Sequence, residues 1–176
     1  MKNITNTLNG FTNTWKTKIV DLYHDIKDSK EITQYYKEHQ IEQQNIKLHL
    51  AVFNEPFLSL ILKGKKTVES RFSINRIAPF DRVKNGDIIF LKKSGGPITG
   101  AVIVGQCYYF HCPSEKEMND IKHDFNEKIS ANAVDNFWES RTKANYITLI
   151  EIAKTKSLKP FYIEKRDRLG WVPINP

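Results

Sequence analysis

The chain has 176 residues and a mass of 20.5 kDa, a size at which one domain buries about 70% of the surface its unfolded chain exposes. With 40% hydrophobic and 27% charged residues, eight Gly and seven Pro, the composition excludes collagen-like, mucin-like and wholly disordered chains. The net charge of +7 is local: residues 47–100 carry ten Lys/Arg against four acids, while residues 1–46 balance at six and six and residues 101–176 stand at eleven and ten.

A basic segment of this kind favours anionic partners, nucleic acid above all, or else it forms a Lys-rich face that serves solubility. The most apolar run, Leu48 to Leu62, is cut by Asn54, Glu55 and Pro56 and falls short of the roughly 18 apolar residues that a membrane span needs. Met1 to Asn9 lacks the apolar stretch of a secretory signal, so a cytoplasmic location without membrane association is expected. Cys107 and Cys112 are expected to be free thiols.

In chain order, Leu8, Phe11, Trp15, Ile19, Leu22 and Ile26 recur at spacings of three and four and predict an amphipathic helix. Asp28 with Glu31 resembles a capping box, and Ile32, Tyr35, Tyr36 and His39 continue a second helical stripe. Gln40 to Asn45 reads as a polar connection. Residues 1–46 are therefore expected to form a helical N-terminal extension that packs on a main domain of residues 47–176, because two short helices alone bury too little to be stable.

From Lys47 the period changes to two, and Leu48, Leu50 and Val52 predict a half-buried strand. Asn54-Glu55-Pro56 opens a short helix with Phe57, Leu60 and Ile61 on its face, and Gly64 is suited to end it. Strands are predicted over Thr67 to Phe72, Ile88 to Leu91 after the Asn85-Gly86-Asp87 turn, Ile98 to Val104 after the Ser94 to Pro97 turn, and Cys107 to Phe110. Strands joined by short connections argue for an antiparallel sheet or small barrel. Ser114 with Glu117 forms a second capping box ahead of Met118, Ile121, Phe125 and Ile129 at helical spacing. A short helix over Ala131 to Ser140 and strands over Tyr146 to Ile152, Phe161 to Glu164 and Gly170 to Val172 complete the chain. The order of elements is that of an α+β fold.

The segment Gly64-Lys65-Lys66-Thr67-Val68-Glu69-Ser70-Arg71 concentrates the chemistry. On a strand Thr67, Glu69 and Arg71 share one face, and Lys66 sits in the adjoining turn, from which its flexible stem reaches the same surface. Two cations, a carboxylate and a hydroxyl in one place can hold phosphate through Lys and Arg. Glu69 can then accept a hydrogen bond from a base amino group or move a proton. The bland alternative is an ordinary Glu69–Arg71 ion pair with Lys66 in solvent.

Gly64, Lys66, Glu69 and Arg71 fit the pattern G-x-K-x-x-E-x-R, and Val83, Gly86 and Asp87 fit a V-x-x-G-D turn that follows it. Together they resemble the ASCH family of the PUA-like superfamily from Lys47 to about Val172. The resemblance implies a PUA-like β-barrel flanked by helices, with a basic cleft for RNA or a modified nucleobase beside the strand that carries the pattern. It nominates Lys65, Lys66, Glu69 and Arg71 for nucleic-acid binding. Some relatives in this family resemble small amidohydrolases acting on N4-acetylcytidine and others are linked with RNA cleavage, so a hydrolase or ribonuclease is the alternative. Lys66, Thr67 and Glu69 are its catalytic candidates, with Lys66 activating a water or hydroxyl and Glu69 relaying the proton. In the amidohydrolase-like members a Thr stands where this chain has Glu69, and Thr67 lies two residues earlier. The separate acid of those enzymes is sought in Asp124 or Glu127.

Trp171, beside Gly170 and after Lys165, Arg166 and Arg168, is the leading aromatic for stacking on a base. Phe53, Tyr108, Tyr109, Phe110 and Trp138 are further candidates that equally suit the core. His49, His111, His123, Cys107 and Cys112 lack the paired spacing of a zinc site, and neither a P-loop nor a G-x-S-x-G element is present. No metal and no cofactor is expected, these residues do not distinguish RNA from DNA, and a protein-interaction adaptor working through the N-terminal helices is a third alternative.

Overall fold

The computed structural model describes residues 15–174. Two helices, α1 (Trp15–Ile26) and α2 (Lys30–Glu38), precede strand β1 (Leu48–Phe53), helix α3 (Phe57–Leu62) and strands β2 (Val68–Ser73), β3 (Ile88–Lys93) and β4 (Ile98–His111). Helix α4 (Glu115–Phe125), strand β5 (Tyr146–Phe161) and strand β6 (Trp171–Ile174) follow. The six strands form one curled sheet in the order β2-β5-β4-β3-β1-β6, giving an α+β fold. Leu8 and Phe11 of the predicted first stripe lie outside the described residues. No helix among the described residues is long and apolar enough to cross a membrane.

Alternation builds the two faces of the sheet. Leu48, Leu50, Ile88, Phe90, Ala101 and Ile103 point to one side, where Ile19, Ile26, Ile32, Tyr35 and Tyr36 of α1 and α2 cover them. Ala51, Phe53, Ile89, Leu91, Val102 and Val104 point to the other, against Leu58 and Ile61 of α3 and Trp171. β1 is therefore buried on both faces rather than half-buried, because it lies between β3 and β6 under two layers. A third cluster at the β2–β5 edge packs Val68, Ile147 and Leu149 under Ile121, Ile129 and Phe137.

The sheet is mixed rather than antiparallel. β1 pairs with β3 in parallel, with α3, β2 and the segment to Asp87 as the crossover, whereas the other four pairings are antiparallel. Two pairs of predicted strands also merge. Ile98–His111 and Tyr146–Phe161 run the length of the molecule as partners, and register shifts absorb their bends. The Ser114 and Glu117 capping box is formed with both reciprocal bonds. At α2 the N-cap is Ser29, not Asp28, and it makes no side-chain cap bond. The helix expected over Ala131 to Ser140 is replaced by two 3₁₀ turns, Ala131–Ala133 and Glu139–Arg141, between which Asn136 takes a left-handed φ of 53° that interrupts a helix.

Candidate functional site

Helix α3 and its stop place the first site residue. Gly64 turns the chain at φ 69°, and the amides of Lys65 and Lys66 both donate to the carbonyl of Leu60. This drops Lys66 inward while Lys65 and Thr67 stay exposed. The Lys66 side chain is 2% exposed; its Nζ donates to the carbonyls of Val68 at 2.8 Å and Ile129 at 2.9 Å and lies 3.4 Å from Glu69 Oε2. Phe57 covers it at 5.2 Å from the ring centroid. Burial pushes the Lys66 ammonium below the ordinary lysine value, and the Glu69 charge opposes that shift.

Period-two geometry sets Glu69 and Arg71 on one face of β2. Arg71 Nε donates to Glu69 Oε1 at 2.7 Å and its Nη2 donates to the carbonyl of Val52 at 3.0 Å. The guanidinium sits 4.9 Å from the Phe53 ring and 5.3 Å from that of Trp171. Glu69, itself 5% exposed, thus has one oxygen held by a guanidinium and the other beside an ammonium.

These groups form the floor of a cleft of about 830 Å³, within the usual size of small-ligand sites. Phe53, Phe57, Phe72 and Phe137 supply apolar walls. One bank is the segment from Phe137 to Ala144, where the Arg141 guanidinium lies 3.7 Å over the Phe137 ring and donates to the Phe137 carbonyl at 2.6 Å. Ile74 and Ile77, 60% and 59% exposed, form the opposite lip. The banks are tied together: the Asn145 amide donates to the Ser73 carbonyl and its side chain to that of Ile74. The charged lining residues are Lys66, Arg71, Arg141 and Lys143 against Glu69 and Glu139, leaving a basic excess.

Of the residues nominated from sequence, Lys66, Glu69 and Arg71 converge in this cleft, and Lys65, Thr67 and Trp171 do not line it. Thr67 is spent on the backbone, its amide donating to Lys128 and its carbonyl accepting from Ile152. Asp124 and Glu127 lie exposed on a separate shallow surface beside Trp138. Of the stacking candidates only Phe53 lines the cleft. Phe57, Phe72, Phe137, Arg141 and Lys143 line the cleft but were not nominated as site residues from the sequence; an Arg-Thr-Lys run beside an aromatic pair was the available signal for the last three.

Trp171 acts from behind. It is buried, with Arg71 on one side and its indole N–H donating to His49 Nδ1 at 3.3 Å. That bond requires Nδ1 to accept, so Nε2 carries the proton and donates to Asp87 Oδ2 at 3.1 Å. Asp87, fully buried, also accepts from the amides of Lys47 and Lys84 at 2.9 Å each. The V-x-x-G-D turn is thereby linked through His49 and Trp171 to Arg71 and Glu69. Trp171→Phe keeps an aromatic ring but removes the indole N–H and part of the buried volume, and is expected to lower the denaturation midpoint by the equivalent of at least about 1 to 2 kcal/mol at unchanged m; an unchanged midpoint in urea titration would show that neither the bond nor the packing contributes.

Sequence comparison with curated proteins finds no match. Among solved structures, the ASCH protein of Zymomonas mobilis matches with a TM-score of 0.52 at 14% identity, covering 65% of this chain and 73% of that one. A serine-to-alanine mutant of the Zymomonas mobilis protein matches with a TM-score of 0.54 at 14% identity, covering 67% and 75%. At that identity the likeness concerns the fold, which is the PUA-like α+β architecture expected from the sequence. The ASCH domain model matches residues 52–161, which include α3, the Gly64 to Arg71 pattern and both long strands, and this chain therefore belongs to the ASCH domain family, a PUA-like group often linked to RNA binding.

Proposed function

We propose that the protein binds RNA by taking one unstacked or modified base into the cleft, where Glu69 accepts a hydrogen bond from the base edge. The observation that carries this reading is the fixed carboxylate on the cleft floor. Lys66 and Arg71 grip it from the protein side and hold its geometry, which leaves remaining lone pairs for a donor such as an exocyclic amino group. Apolar rings flank the space a flat heterocycle would fill, and Arg141 and Lys143 stand where an attached phosphate would need cations.

Binding is favoured over hydrolysis by the state of Lys66. Its three N–H groups face two carbonyls and a carboxylate, so the ammonium is engaged in positioning Glu69 and offers no lone pair to a water. A panel of nucleosides and short RNAs, titrated against wild type and Glu69→Gln with product formation followed in parallel, tests the reading. Wild type should discriminate among bases without turnover, and Glu69→Gln should lose about 10- to 100-fold of that discrimination while retaining phosphate affinity. Equal affinity for every base in both proteins would refute it, and product release would favour the amidohydrolase or ribonuclease alternative.

A further inference from the structure

We infer that the end of the sheet beside the cleft, formed by the β3–β4 turn and the segment from Lys159 to Gly170, is a track for the phosphates of a single-stranded nucleic acid whose neighbouring base enters the cleft. The inference rests on the base-binding reading above and extends it from one nucleotide to several.

Continuity with the cleft is set by the backbone. Phe53, a cleft wall, stands in parallel register with Lys93, and the amide of Ser94 donates to the Phe53 carbonyl. On the other side the Val52 amide donates to the Gly170 carbonyl, and a Cβ added at Gly170 would come 3.6 Å from Arg71 Nη1. Lys93 and Arg168 therefore leave from two segments, one bonded to the Phe53 wall of the cleft and the other packed against Arg71 of its floor. Lys159 joins them from the irregular stretch of β5 between the pairs Gly100↔Ser157 and Ile98↔Phe161.

The cations of this region divide into two groups, apart from Arg166, which stands 3.6 Å from the exposed Glu164 carboxylate as a surface ion pair. Lys165 is internal: its side chain is 3% exposed, and its Nζ holds the Asp167 carboxylate at 2.5 Å and the carbonyls of Asp167 and Leu169. Lys92 donates to the carbonyls of Lys93 and Gly96. These bonds shape the loops and neutralise Asp167, whose carboxyl is held below its ordinary value by Lys165. Lys93, Lys159 and Arg168 are instead exposed, with Glu55 near enough to Lys93 for that charge to help hold its carboxyl below the ordinary value.

Two large side chains stand out among them, Tyr162 at 73% and Leu169 at 60% exposure. Neither contributes to the core, and an aromatic face among exposed cations is the arrangement that single strands use for stacking and backbone neutralisation. The occupant is a phosphodiester chain rather than a free anion because the cations are spread along a path that begins at the base cleft.

The test uses the full chain and three probes: a mononucleoside, a single-stranded RNA octamer and a DNA octamer of the same sequence. Lys93→Glu/Arg168→Glu should leave nucleoside affinity unchanged and weaken the RNA octamer by tenfold or more. The slope of log K against log salt should become shallower by about 1.4, close to 0.7 for each lost phosphate contact. Tyr162→Ala should weaken the octamer by about tenfold. DNA should lose as much as RNA in the double variant, since phosphate contacts do not read the sugar. An octamer affinity and salt slope unchanged by the double reversal would overturn the track and assign this face to another partner, such as an acidic protein surface. Failure of the nucleoside to bind wild type would remove the base reading alone, and the octamer slopes would still decide the track.

Discussion

Lys66→Met is expected to lower the unfolding free energy by about 3 to 5 kcal/mol, the range seen when one partner of a buried ion pair is removed. The substitution keeps the length and apolar body of the side chain, so little volume is lost. What disappears is the charge that compensates Glu69 at 3.4 Å and the donors to the carbonyls of Val68 and Ile129, all away from water. For a chain of this size the loss corresponds to roughly 6 to 20 °C in Tm. In the double variant Lys66→Met/Glu69→Gln the two losses should fall short of additive, because both substitutions remove the same 3.4 Å contact. Thermal and urea unfolding of the single and double variants measures both effects. A cost below about 1 kcal/mol for the single change would mean that the ammonium contributes little to this floor.

Asp87→Ala should be of similar severity, at least about 3 kcal/mol, for a different reason. The carboxylate satisfies three donors at once, the amides of Lys47 and Lys84 and the imidazole Nε2–H of His49. Each donor left unpaired in the interior costs about 1 to 3 kcal/mol, less what water entering the cavity restores. The effect should reach the cleft, because His49 fixes Trp171 and Trp171 backs Arg71. Base affinity is therefore expected to fall in whatever fraction remains folded, which separates a positioning role from a merely structural one. Urea midpoints together with nucleoside titration below the transition check this, and native affinity in the folded fraction would break the proposed link.

The strands were legible wherever one side chain in two is apolar, and so was α4, because Ser114 and Glu117 mark its start chemically. The Gly64 to Arg71 pattern gave the location of the cleft floor. The parallel pairing of β1 with β3 was not legible, since an apolar run does not record the direction of its neighbour. The burial of Lys66 was also hidden. A lysine in a turn reads as solvated unless acceptors meet it, and its acceptor at Ile129 comes from 63 residues away in the chain. The bank from Phe137 to Ala144 escaped for a related reason. It has no period, its 3₁₀ turns and left-handed residues carry weak sequence marks, and it is placed by contacts with β2 rather than by its own propensity.

The most direct measurement is a crystal structure of the protein with the nucleoside that binds it most tightly. The heterocycle should lie inside the cleft among the phenylalanine walls, with one of its N–H groups about 2.7 to 3.1 Å from a Glu69 carboxylate oxygen and Lys66 and Arg71 still in place behind it. A nucleoside seated elsewhere, with Glu69 touching only those two cations, would contradict the account.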